Sequence, residues 1–280
     1  MTESWWLKVK RAQHHMVEIK RYAKLYADSR PYEVVPIRPQ PKGHPDSWFC
    51  TLQIIRQPDP MIALILGDFI HNLRSALDHM VVACAPRKQK FSANMPIHLI
   101  DPWEKNASGK LLVSNREGRK KYRIATAGVD KRAEAIIRRF QPYHMSLEER
   151  DRHGFAIISR LENADKHRQL ITVGSGVERA VYSTWAKSGG GLLLLKQSDA
   201  TIQGNFAHDG AQQQIIFPSG TRPRDSEMQM NCQGTAVITV KIARVRGDDP
   251  PSDFPLFSTM LGQLYSVRSF LRLMEPFVVQ

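Results

Sequence analysis

Two prolines, Pro60 and Pro86, bracket a run that constrains the fold more than any other part of the chain. Proline tolerates the first turn of a helix and ends one that reaches it. Between the two, Phe69, Leu73, Ala76, Leu77 and Met80 share one side at about 100° per residue. With Asp59 as N-cap and Pro60 in the first turn, the spacing predicts a helix from residue 60 to about Ala85. Asp68, Asn72, Ser75 and His79 line the opposite side, flanked by His71 and Asp78. A solvated face is usually written in Lys, Glu and Gln. These residues are poorer helix formers and better at directed hydrogen bonds, which points to a site or to a buried polar network.

Three other long segments repeat the helical period. Ser4 to Ser29 carries Trp5, Val9, Ala12, Met16, Ile19, Ala23 and Tyr26 on one stripe, stopped by Pro31. Ser146 and Glu149 fit a capping box, predicting a helix from Leu147 to about Ile171, closed by Gly174-Ser-Gly176. Phe254 to Met274 carries Leu256, Met260, Leu264, Val267 and Leu271. Val129–Phe140 reads as a short helix, and residues 87–128 as irregular.

Tyr32–Arg38 and Trp48–Ile55 are β-prone and predict a hairpin. Arg179–Lys187, Leu192–Lys196, Gln213–Phe217, Glu227–Cys232 and Thr235–Val245 are strand-like, and Asp248-Asp-Pro-Pro251 reads as a linker. The expected class is α+β, mainly helical: a bundle of four to five helices with a small N-terminal β-hairpin and a larger β-rich insertion before the C-terminal helix. Residues 1–174 would form the helical core with its hairpin and basic loop segment, 175–250 the insertion, and 251–280 a helix returning to the bundle.

With 42% apolar residues in 280, a sizeable core can form. The three cysteines, Cys50, Cys84 and Cys232, make no CxxC and read as reduced thiols. The first residues lack the pattern of a signal peptide, and the longest apolar run, Met61 to Leu66, is too short for a bilayer. These features predict a cytoplasmic protein with no membrane partner. The net charge of +13 is uneven: from Lys105 to Arg139 eleven Lys and Arg stand against three Asp and Glu, a local net of +8. Such a segment attracts phosphate polyanions, and Arg119, Lys120, Lys121 and Arg123 are its densest part.

A second constellation is Glu162-Asn-Ala-Asp-Lys-His-Arg168. Asn163 and His167 lie one helical turn apart with Lys166 beside them, while Leu161 and Ala164 face the core. Lys166, His167 and Arg168 suit an anion or the negative end of a helix dipole. Histidines on three helices, His15, His79 and His167, together with Asp68 permit a metal or small-ligand site, but HExxH is absent and no metal is expected. The Gly-rich Ser188–Gly191 lacks the context of a phosphate loop, and GxSxG is absent. The aromatic residues are scattered along the chain and form no evident stacking platform.

Arg74-Ser-Ala-Leu-Asp-His79 resembles the Arg-x4–6-His motif of HEPN-type ribonucleases, which are small helical-bundle proteins. The longer text from Gly67 to His79, with Asn163 to Arg168, is also similar to a widespread group of bacterial proteins, a resemblance covering much of residues 5–171 that carries no activity with it. The HEPN resemblance implies metal-independent RNA cleavage without a cofactor. His79 would be the general acid or base at the ribose 2′-hydroxyl, Arg74 would stabilise charge on the phosphate, and Asp78 would orient either. Asp68, His71, Asn72, Ser75, Asn163, Lys166, His167 and Arg168 would support them, and Arg119, Lys120, Lys121 and Arg123 would hold RNA. It also implies a homodimer, a toxin or phage-defence setting, and a neutralising protein partner. On a regular helix Arg74 and His79 stand about 140° apart, so a shared site needs a distorted turn or a second copy of the chain. The alternatives are a non-catalytic RNA- or protein-binding module, a ligand-binding bundle, and a purely structural polar network.

Overall fold

In a computed structural model, the structure describes residues 3–36, 42–43, 47–166, 173–188, 191–201, 212–216, 228–242 and 252–279. The fold is mainly helical with small antiparallel sheets. It divides into two compact units: Met1–Lys20, Met61–Thr172 and Val240–Gln280 form the first, and Arg21–Pro60 and Val173–Thr239 the second.

The first unit is built on three helices that pack against one another: α2 (Met61–Cys84), α6 (Gly154–Lys166) and α7 (Leu256–Met274). The α2 stripe lies inside, with Phe69, Leu73, Ala76, Leu77 and Met80 all fully buried. It meets Phe155, Ile158 and Leu161 of α6 and Met260, Val267 and Leu271 of α7 in one core. Phe140, Phe155 and Phe270 form an aromatic triangle with ring centroids 5.4 to 5.7 Å apart. The first part of α1 (Ser4–Asp28) adds buried Trp5, Val9 and Ala12, and the Trp6 indole donates to the Glu275 carboxylate.

The helix expected from Leu147 to Ile171 is two helices. The capping box forms, with Ser146 Oγ accepting from the Glu149 amide and the Glu149 carboxylate accepting from the Ser146 amide. The helix it opens, α5 (Leu147–Arg152), then stops at His153, whose backbone is extended. Two contacts explain the break. The Arg160 guanidinium turns back to the Asp151 carboxylate (2.7 Å) and the Asp151 carbonyl (2.6 Å), closing the end of α5. Gly154 lies so near α7 that a Cβ there would fall 2.6 Å from Ser266 Oγ, an approach that only glycine permits.

Residues 87–128, expected to be irregular, contain α3 (Arg116–Ala125). Only Tyr122 and Ala125 of this helix are fully buried, too few to write a periodic apolar pattern. The short helix after it is α4 (Lys131–Arg139), capped by the Asp130 carboxylate, which accepts from the Arg132 amide. That bond holds the Asp130 carboxyl below its ordinary range.

The second unit contains the expected hairpin of β1 (Tyr32–Pro36) and β2 (Ser47–Ile54), antiparallel with Val34 opposite Leu52. It gains a third strand, β5 (Gln212–Ile216), which pairs with β2. The hairpin belongs to the same unit as β5. In the second sheet β3 (Val173–Ser188) lies between β4 (Gly191–Thr201) and β6 (Met228–Ile242). The two strands expected over 227–245 are the single β6, and Gly174-Ser-Gly176, expected to end a helix, lies within β3. A short strand, β7 (Ser252–Pro255), precedes α7. The expected linker at 248–251 lies outside the described residues.

Candidate functional site

The polar row of α2 separates into parts with different surroundings. Asp68 and His71 are exposed. Asn72 is buried, and its Nδ2 donates to the Asp68 carbonyl (2.7 Å) within its own helix. Ser75 is half-buried.

Arg74 is the centre of a built network. Its side chain is 16% exposed. Nε donates to Asp78 Oδ2 at 3.2 Å, and Nη2 lies 3.1 Å from Asp78 Oδ1. Nη2 also donates to the Met95 carbonyl (2.7 Å), and the Met95 amide donates to Asp78 Oδ1 (2.9 Å). Nε lies 3.6 Å from Glu162 Oε2 on α6, a carboxylate only 10% exposed. Arginine suits this place because its fork of donors reaches several acceptors at once. The network joins α2, α6 and the segment around Met95. Glu162 belonged to the sequence cluster without a role of its own.

His79 serves a different neighbour: its Nδ1 is 3.1 Å from Ser4 Oγ on α1. With α2 a regular helix, Arg74 and His79 therefore address different elements. The expected supporting cluster is only partly described. Asn163 is exposed, Lys166 ends α6 with its side chain outside the described residues, and His167 and Arg168 lie outside them entirely.

The histidine set also divides. His14 is exposed, and His15 is buried 3.6 Å from Glu18. Among the described residues no group of three or more His, Cys, Asp or Glu is arranged to hold a metal ion. His153 is half-buried and its Nδ1 accepts from the Phe155 amide (3.2 Å); burial pushes its pKa down to about 4.

The basic segment has a defined shape. Arg119 is structural, donating from Nη1 to the carbonyls of Pro102 (2.7 Å) and Leu112 (3.0 Å). Lys120, Lys121 and Arg123 are exposed. Arg116, Lys120 and Arg123 follow at steps of four and three, and so form one ridge on α3 opposite buried Tyr122 and Ala125. Beneath the helix, Trp103 meets Tyr122 edge-on (4.8 Å) and the Arg138 guanidinium lies 4.3 Å from the Trp103 ring centroid. The Tyr122 hydroxyl is buried beside Arg138, and burial raises its pKa. His98 completes this layer, its pKa lowered by burial and by Lys121.

No helix among the described residues is long and apolar enough to cross a membrane. Comparison with protein-family models, curated proteins and solved structures finds no match to this chain.

Proposed function

We propose that the protein binds RNA through the outward ridge of α3 and acts as a binding module of the HEPN-like kind. The observation that carries this reading is the ridge of Arg116, Lys120 and Arg123, three exposed cations in line on a helix whose other face is anchored. Its charge stands in a segment with a local net of +8. Cations so placed neutralise backbone phosphates and release counterions without any rearrangement of the protein.

Cleavage by Arg74 and His79 asks for more. Arg74 would have to leave Asp78, Glu162 and the Met95 carbonyl to meet a phosphate, and His79 would have to act from another side of α2. A cleaving centre would then require residues of a second copy. Binding requires none of this, so it is the stronger reading.

The test is the salt dependence of binding to a labelled single-stranded RNA, with cleavage followed in EDTA. Tight binding with a steep salt slope is expected, and Lys120→Ala/Arg123→Ala should reduce that slope by about 1.4, from two lost phosphate contacts on a single strand. A variant that keeps the wild-type slope would remove the ridge from the interface. EDTA-resistant cutting that disappears in His79→Ala would replace this reading with the nuclease.

A further inference from the structure

Phe91 stands at the tip of a turn between α2 and α3 and is wholly exposed, at 104% of its reference area. An aromatic ring fully in water gains nothing for the fold. Single exposed apolar residues are ordinary on protein surfaces, but this one has particular surroundings. Arg87, Lys88 and Lys90 are all exposed, and no Asp or Glu occurs between Asp78 and Asp101.

The turn is a braced structure. The Gln89 amide donates to the Pro86 carbonyl (2.8 Å), and the Ser92 and Ala93 amides both donate to the Gln89 carbonyl (3.1 Å). Ala93 and Met95 are buried behind it. The Asn94 amide donates to the carbonyl of Ala125, the last residue of α3 (3.3 Å). Gly128 seats the other side. It has φ +74°, and a Cβ there would fall 2.8 Å from Pro86 Cγ. The turn is thus fastened to the C-terminal end of α3, the helix that carries the ridge of Arg116, Lys120 and Arg123.

We infer that Phe91 is a nucleobase-stacking residue, and that the ridge of α3 and the basic turn form one track for single-stranded nucleic acid. This rests on the RNA-binding reading and adds the contact that selects unpaired bases. A positively charged path that follows the backbone, joined to an aromatic ring open on its faces, is the combination that single strands require. Every base has a π-face, so the contact is tolerant of sequence. A lipid surface fits less well. Stable membrane attachment uses a broad apolar face beside the basic residues, and here the one exposed ring is flanked along the chain by Gln89, Lys90, Ser92 and Asn94.

The test uses the full chain and two fluorescein-labelled probes, a short oligouridylate and an oligomer with the same phosphate backbone but no bases. Anisotropy is measured for wild type, Phe91→Ala, Phe91→Trp and Lys120→Ala/Arg123→Ala. Phe91→Ala should weaken oligouridylate binding roughly 5- to 150-fold, the range of one lost stack, and leave the baseless probe within about twofold. Phe91→Trp should retain binding to both. Because the side chain is wholly exposed, Phe91→Ala should unfold at the wild-type temperature. If Phe91→Ala changes neither probe while the double variant weakens both, the ridge binds RNA and stacking is wrong. If wild type binds neither probe, the binding reading and the stacking proposal fall together. If Phe91→Ala abolishes binding to phosphatidylserine vesicles and leaves oligouridylate unaffected, the ring serves a lipid surface and the proposal is overturned.

Discussion

Arg74 on α2 and Glu162 on α6 form an inter-helix ion pair, 3.6 Å between Nε and Oε2, in which both side chains are nearly out of solvent. The same guanidinium holds Asp78, whose carboxylate fixes the Met95 amide. The motif pairs Arg74 with His79 as a reactive pair, yet this arginine holds α2, α6 and the segment around Met95 together.

Arg74→Ala should therefore be a stability variant. Removing one partner of a buried ion pair costs about 3 kcal/mol, because the remaining carboxylates lose their cation. The double variant Arg74→Met/Glu162→Met should lose less than Arg74→Ala, since no charge remains to be compensated at that contact. Urea unfolding measures both. Additive losses in the two single methionine variants would mean that the residues are not coupled.

Gly154→Ala should destabilise the first unit by about 1–3 kcal/mol, because its Cβ would meet Ser266 Oγ at 2.6 Å and force α6 from α7. Measured against Ser266→Gly alone, which itself costs about 1 kcal/mol inside α7, the added loss from Gly154→Ala should largely disappear. Thermal unfolding of the pair decides the matter. An added loss that persists would show that the cost lies in the backbone at residue 154 and not in the helix contact.

His153 makes stability depend on pH. Its folded pKa of about 4 lies below the ordinary 6.5, so between these values the unfolded chain binds more protons. The stability from its neutral form is complete above about pH 6.5 and is lost as pH falls toward 4. At pH 5 the loss should be about 1 kcal/mol, partial exposure of the ring roughly halving the full value. His153→Asn, whose side-chain oxygen can accept from the Phe155 amide, should flatten the change between pH 7 and pH 5 in denaturant titrations. An unchanged slope would place the pH dependence elsewhere.

Cys84 should resist alkylation in the native protein. It is buried, its Sγ contacts Met80 Sδ (3.9 Å) and the Met274 carbonyl (3.8 Å), and burial raises its pKa to about 11. Iodoacetamide at pH 8 followed by peptide mass analysis should find Cys84 unmodified until denaturant is added. Rapid native labelling would mean that the end of α2 opens readily.

Much of this architecture was legible in the sequence where a local rule suffices. Pro60 and Pro86 bound α2 because proline restricts the backbone wherever it stands. The stripes of α1 and α7 follow from helical periodicity, and Ser146 and Glu149 satisfy each other within one turn. The basic ridge was visible as charge density, though not as a helix.

What escaped the sequence depends on partners distant along the chain. The stop at His153 follows from Arg160 returning to Asp151 and from the approach of Ser266, neither of which is written near residue 153. The order of α3 comes from Tyr122 lying against Trp103 and from Arg119 reaching the Pro102 and Leu112 carbonyls. The setting of exposed Phe91 depends on a turn fastened to the end of α3 by the bond from Asn94 to Ala125, which no local pattern announces.

By itself the sequence determined the helical class, the strand-rich segments, the limits of the long helices and the location of positive charge. These depend on backbone chemistry and on periodicities spanning a few residues. Only the tertiary structure decided that Arg74 is engaged with Glu162 while His79 meets Ser4, and that the three α3 cations face solvent. A side chain's chemistry is available to a ligand only when packing leaves it unused, and packing joins residues whose separation along the chain carries no local signal.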